Sequence, residues 1–274
     1  MIKNYKLFLE SRRQPISKQE AINIIKSNCK EFLVDKKTKI FRGVDSEEDP
    51  DFVLVKPSEG SLRRSANTNN HYTLIIDNSE RWSHFPKRSK SIICTTSPGH
   101  AHDYGHAYCV IPFDNANIGI CPENDIWTSF VESGIHNLDS FVYDLSKLGV
   151  SDYDFEPMVD DFKKLEDKLI SKEIEMSSPS KLATLLLKTL GGYTYNWDFG
   201  RDTSTIISNY MKLEPKHISL FEYVDELFDP IENGFKTSNY RDMNYTGDDL
   251  EVWTDSNCIM ISLSIIDSIL EELN

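Results

Sequence analysis

Residues 91–98, Ser91-Ile92-Ile93-Cys94-Thr95-Thr96-Ser97-Pro98, are the stretch on which the reading of this chain turns. The apolar, β-branched first half reads as a short strand. Three hydroxyl side chains follow, and then Pro98-Gly99. Hydroxyls in that place are suited to capping the next helix, and a short helix is expected over residues 98–104. The strand is therefore a stiff rod with a polar tip.

Similar runs lie on both sides. Ile40-Phe41-Arg42-Gly43-Val44, Phe52-Val53-Leu54-Val55, Tyr72-Thr73-Leu74-Ile75-Ile76, Tyr108-Cys109-Val110-Ile111-Pro112 and Ile118-Gly119-Ile120-Cys121 are predicted strands, bounded by Gly, Pro, Asn or acidic turns. Near the end, Leu250-Glu251-Val252-Trp253-Thr254 and Cys258 to Ser262 read as two strands. The Asp255-Ser256-Asn257 link between them reads as a hairpin. Ser17-Lys18-Gln19-Glu20 is a capping box opening an amphipathic helix to about Leu33. The middle reads as helical, with 3.6-residue apolar faces over 155–174 and 181–190, and a last helix is expected from Ile265. The class is α+β, with strands early and late flanking a helical insertion at about 126–240.

Composition sets outer limits. The 274 residues hold 30 Lys+Arg against 44 Asp+Glu, a formal net charge of −14, with 39% hydrophobic residues. That charge opposes bulk nucleic-acid binding, while a few convergent arginines can still hold an anionic ligand. No run approaches the roughly 20 apolar residues a membrane span needs. Five scattered cysteines make no CxxC pair, so neither a disulfide frame nor a structural zinc is expected. His100, His102 and His106 do not share one helical face, and no metal site is expected from them.

Three polar placements carry possible chemistry. Arg42 lies on a strand and is followed by Gly43, which permits close backbone approach to a ligand. Its plainer reading is a strand-end arginine paired with Asp45 or Glu47. Thr95, Thr96 and Ser97 form the hydroxyl tip already described. Asp249 and Glu251 stand two apart, so on a strand both face one side, although Asp249 also fits a turn after Gly247-Asp248. The adjacent Arg63-Arg64, in a basic then amide-rich loop, suit a pyrophosphate, and a plain solvated loop fits them as well. Tyr104, Tyr108, Phe113 and Trp253 are candidate stacking rings, and the same aromatics fit a strand core. Arg81, Lys87, Arg88 and Lys90 read as a solvated basic face.

In order, "IFRG", "SIICTTSP" with Tyr104-Gly105 beyond it, and "DLEVW" resemble the Arg-Ser-Glu mono-ADP-ribosyltransferase superfamily. The resemblance covers the β segments, about half of the chain. It implies a split, mixed β-sheet core with a helical insertion, and NAD as substrate. By that likeness Arg42 with Gly43, Arg63, Arg64 and Tyr104 bind NAD, Thr95, Thr96 and Ser97 hold the geometry, and Glu251 is catalytic. Asp249 falls where the family has Glu or Gln, at a position that helps activate the acceptor. A shorter side chain there leaves the acceptor undefined.

The first ten residues, Met1 to Glu10, resemble the cleavable capsid-targeting leader of internal head proteins in T-even-type bacteriophages, with Phe8-Leu9-Glu10 at the cleavage triplet. An ordinary first helical turn fits the same residues. Residues 11–274 are then expected to form a single domain carrying the insertion. The resulting expectation is a phage transferase that modifies a host macromolecule, placed in the virion or the host cytoplasm, with head proteins as further partners. The alternative is a virion or accessory protein that keeps the fold without the activity and binds a protein partner.

Overall fold

A computed structural model describes residues 12–45, 49–59, 69–130, 138–171, 201–213, 218–244 and 249–273. The chain divides into two compact units. One comprises residues 1–63, 83–126 and 234–274, and the other residues 64–82 and 127–233. The expected leader, and the helix expected at 181–190, lie outside the described residues.

The first unit is built on β1 (Arg12–Pro15), β2 (Phe41–Val44), β3 (Phe52–Lys56), β4 (Ile92–Thr95), β5 (His106–Pro112), β6 (Asn117–Ile120), β7 (Lys236–Asn239), β8 (Glu251–Thr254) and β9 (Cys258–Ser262). These form a sheet in the order β1-β3-β9-β5-β2-β4-β8-β6-β7. Every pairing among them is antiparallel, so the mixed sheet expected from the resemblance is not what forms.

The sheet nonetheless has a seam. β2 pairs with β5 through four residues and β4 with β8 through four, but β2 meets β4 only at Phe41 opposite Thr95. Two sheet halves are thus joined through one residue pair. The three segments singled out in the sequence meet there, since β2, β4 and β8 are consecutive in the sheet.

The hairpin expected between β8 and β9 does not form. β8 lies between β4 and β6, whereas β9 lies between β3 and β5. The Asp255-Ser256-Asn257 link carries the chain from one half of the sheet to the other, because each strand is claimed by stronger partners on both sides.

Helix α1 (Lys18–Asn28) starts at Ser17, whose Oγ accepts from the Glu20 amide at 3.2 Å. Its Ala21, Ile22 and Ile25 join one core with Phe32 of α2 (Lys30–Asp35), strand residues such as Val55, Val110, Met260 and Val252, and Ile266 and Ile269 of the C-terminal helix. Helix α4 (Pro98–Asp103) follows β4 as expected and packs on β2. A Cβ on Gly43 would stand 2.0 Å from the Ala101 carbonyl oxygen, so only glycine lets the helix come this close.

The second unit holds α3 (His71–Asn78), α5 (Ile126–Ser129) from Trp127 on, α6 (Leu138–Leu145), α7 (Phe155–Ser171), α8 (Arg201–Met211) and α9 (Leu220–Leu227); α10 (Ile266–Glu272) closes the first unit. The strand expected at 72–76 is therefore the helix α3. Its Tyr72 ring stacks on Phe130 at 5.3 Å and meets Trp127 and Phe228 edge-on. An apolar run this short carries no decisive period when it is buried on most sides. Arg81 pairs with Asp225, Glu226 and Asp229 in the same unit.

Candidate functional site

All of the groups that follow belong to the first unit. Thr95 faces Glu251 across the β4–β8 ladder, so both side chains leave the same face of the sheet. The hydroxyl tip of β4 then grips the chain that leads into β8. Thr95 Oγ1 donates to Asp249 Oδ1 at 3.0 Å. Thr96 Oγ1 accepts from the Leu250 amide, and the Thr96 amide donates to the Leu250 carbonyl, each at 3.0 Å. Ser97 is the N-cap of α4, its Oγ accepting from the His100 amide at 3.2 Å. From that helix His100 Nδ1 reaches Asp249 Oδ1 at 2.9 Å.

Glu251 is fixed by its backbone as well. Its amide donates to the Glu123 carbonyl at 3.0 Å and its carbonyl accepts from Cys121 at 2.9 Å. Its side chain, 9% exposed for the whole residue, forms an ion pair with Arg88, Oε1 to Nη2 at 2.7 Å. Cys121 Sγ stands 3.6 Å from the same oxygen. Burial opposes the charge on Arg88, but the Glu251 carboxylate, with Cys121 and Asp125 behind it, outweighs burial and holds the guanidinium pKa above its ordinary value.

Trp253, two residues along on the same face, supports that pair. The Arg88 guanidinium carbon is 5.4 Å from its ring centroid, its Nε1 donates to the Pro86 carbonyl at 2.9 Å, and Phe85 stacks on it at 6.0 Å. The ring lies flat over Gly119, where a Cβ would be 2.3 Å away. Tyr104 stands 61% exposed at the edge of this group. Partial burial of its hydroxyl, then the charges of Asp125, Glu251, Asp103 and Asp249, push its pKa up.

Of the residues named from the sequence, Thr95, Thr96, Ser97, Tyr104, Asp249 and Glu251 are therefore brought together. Arg42 is not. Alternation along β2 turns it away from the face that Phe41 shares with Thr95 and Glu251, and its Nη1 donates to the Ile93 carbonyl. Gly43 does admit a close approach, but what approaches is α4 and not a ligand. Arg63 and Arg64 lie outside the described residues. Among the described residues no group of three or more His, Cys, Asp or Glu is placed to hold a metal ion.

Sequence reasoning missed Arg88, reading it as solvated surface, and missed the tie between His100 and Asp249. A signal for the first was available. A glutamate set between apolar strand residues requires a counter-cation, and Arg88 is among the basic residues just before the adjoining strand. No family model, curated protein or solved structure matches the chain.

Proposed function

We propose that the chain is an NAD-dependent mono-ADP-ribosyltransferase that modifies a host macromolecule during phage infection. One observation carries this reading. The arginine, hydroxyl and glutamate segments occupy neighbouring strands β2, β4 and β8, in that order, although Glu251 lies 154 positions beyond Ser97 in the sequence.

The chemistry asks little covalent help of a protein. The bond between C1′ of the nicotinamide ribose and the pyridinium nitrogen breaks, and nicotinamide leaves with the bonding pair. A ribosyl cation develops, and an acceptor nucleophile closes on C1′ and gives up its proton. In this reading the Glu251 carboxylate faces the developing charge, the role of a preorganised anion in a partly desolvated site. Thr95 and Thr96 hold the Asp249-Leu250-Glu251 segment in register, and Tyr104 offers a ring to the departing pyridine. Asp249 and His100, bonded to one another, stand where an acceptor's proton can be taken.

A second reading has its own observation. The Arg42 guanidinium is engaged by the Ile93 carbonyl on the opposite face, which favours a virion or accessory protein that keeps this fold and binds a protein partner without turnover. Incubating the purified chain with NAD labelled in the ADP-ribose, with and without host lysate, separates the two. Label in protein or free ADP-ribose supports the transferase; intact NAD throughout supports the binding protein.

A further inference from the structure

Arg88 belongs to none of the three motif segments, yet it forms the ion pair on which the Glu251 carboxylate rests. We propose that Arg88 is the positioning residue of Glu251, fixing one carboxylate oxygen in place when a ligand displaces water from the site. This inference rests on the transferase reading.

Geometry argues for it first. Both side chains are nearly closed off from solvent, 6% and 11% exposed, at an N···O distance of 2.7 Å. A surface pair of this type is worth little and is free to swing. A buried one costs desolvation on both sides and survives only with close geometry and extra bonds. Here the extra restraint comes from Trp253, whose face lies against the guanidinium and whose indole N–H ties down Pro86. The 85–88 segment is thereby fastened to the same strand that carries Glu251.

Charge supplies the second argument. The charges acting on Arg88 are those of Glu251, Cys121 and Asp125, which outweigh its burial and hold the guanidinium charged, and Cys121 beside β6 also reaches the bonded Glu251 oxygen. Arg88 is the cation bonded to Glu251. Without it the carboxylate is no longer held at one place beside the reacting ribose, so loss of Arg88 weakens the chemical step and not NAD binding.

The test uses the full chain and labelled NAD, following nicotinamide release over a range of NAD concentrations for wild type, Arg88→Met and Arg88→Lys. Arg88→Met is expected to lose about 100-fold in kcat with KM for NAD changed by less than about threefold. Arg88→Lys restores the charge without the planar fork. It should recover part of the loss, with kcat about tenfold low and KM for NAD unchanged. A wild-type kcat in Arg88→Met overturns the proposal. If that variant does not fold, a wild-type kcat in Arg88→Lys overturns it instead. A wild-type chain that leaves NAD intact overturns the transferase reading and this inference together, whereas an active wild type with indifferent Arg88 variants overturns the inference alone.

Discussion

Arg42 donates through its guanidinium to the main-chain carbonyl of Ile93, across the place where β2 and β4 part. Ile93 lies two residues before Thr95, so its carbonyl is turned toward β2 and is the acceptor a longer ladder would use. A side chain takes the place of a strand-to-strand bond, and the two halves of the sheet are held without being zipped. Replacing Arg42 with Met removes a bond from a charged donor and leaves that carbonyl short of a partner. The expected loss is about 1.5–3 kcal/mol. Hydrogen exchange in β2 and β4 reads it out: faster exchange confined to these strands agrees with a seam staple, and unchanged exchange contradicts it.

Gly43 faces α4 with no room for a side chain. A Cβ would sit 2.0 Å from the Ala101 carbonyl oxygen and 2.7 Å from the Tyr104 Cβ, and a backbone oxygen cannot swing aside. Gly43→Ala is expected to cost about 3 kcal/mol through displacement of α4. His100 and Tyr104 ride on that helix, so thermal melting and NAD turnover should fall together. A variant with wild-type melting would show that α4 yields freely.

Much of the first unit was legible because its strands are short apolar runs closed by turn residues. β2, β3, β4, β5, β6, β8 and β9 fall where the patterns of residues 40–44, 52–55, 91–95, 108–112, 118–121, 250–254 and 258–262 put them, to within a residue or two at the ends. Strand partners were not legible. The link at 255–257 is short enough for a hairpin, and only the competition of β4, β6, β3 and β5 for the same edges decides otherwise. Tyr72 to Ile76 defeated the pattern because burial among Trp127, Phe130 and Phe228 asks for apolar residues on most sides of a helix. Of the candidate site, the hydroxyl and acidic pieces were readable by spacing. The place of Arg88 under Glu251 depends on Trp253 lying over Gly119, a packing relationship that spacing does not encode. β1, rich in Arg and Gln, carries no apolar signal at all.

Breaking the Arg88–Glu251 pair from one side strands a buried charge. Arg88→Met is expected to destabilise the first unit by about 3–5 kcal/mol, while Arg88→Met combined with Glu251→Leu should recover most of that loss. Urea unfolding of the two single variants and the double variant gives the coupling. Additive losses would mean that the two charges do not depend on one another.

His71 is fully buried in the second unit, its Nε2 donating to the Val150 carbonyl at 3.1 Å while Nδ1 has no hydrogen-bond partner. Burial lowers its pKa, with the Val150 carbonyl and the charge of Asp152 acting in the opposite direction. The unfolded chain thus takes up a proton at a pH where the folded one does not. Stability is complete above the ordinary histidine value of about 6.5 and falls as pH drops below it, by at most about 1.4 kcal/mol per pH unit. Unfolding of α3 and α7 followed at about pH 7.5 and 5.5 should show the loss, and His71→Asn should flatten it. A pH-independent wild type would contradict the assignment of a neutral ring.

The central claim is that Glu251 supports cleavage of NAD at the nicotinamide ribose. Nicotinamide release by wild type and Glu251→Gln, both verified as folded, tests it most directly. The glutamine keeps the shape and removes the charge, so a loss of about 100-fold or more in kcat is expected, with NAD binding largely retained. Equal release by the two proteins, or none by the wild type, would contradict the account.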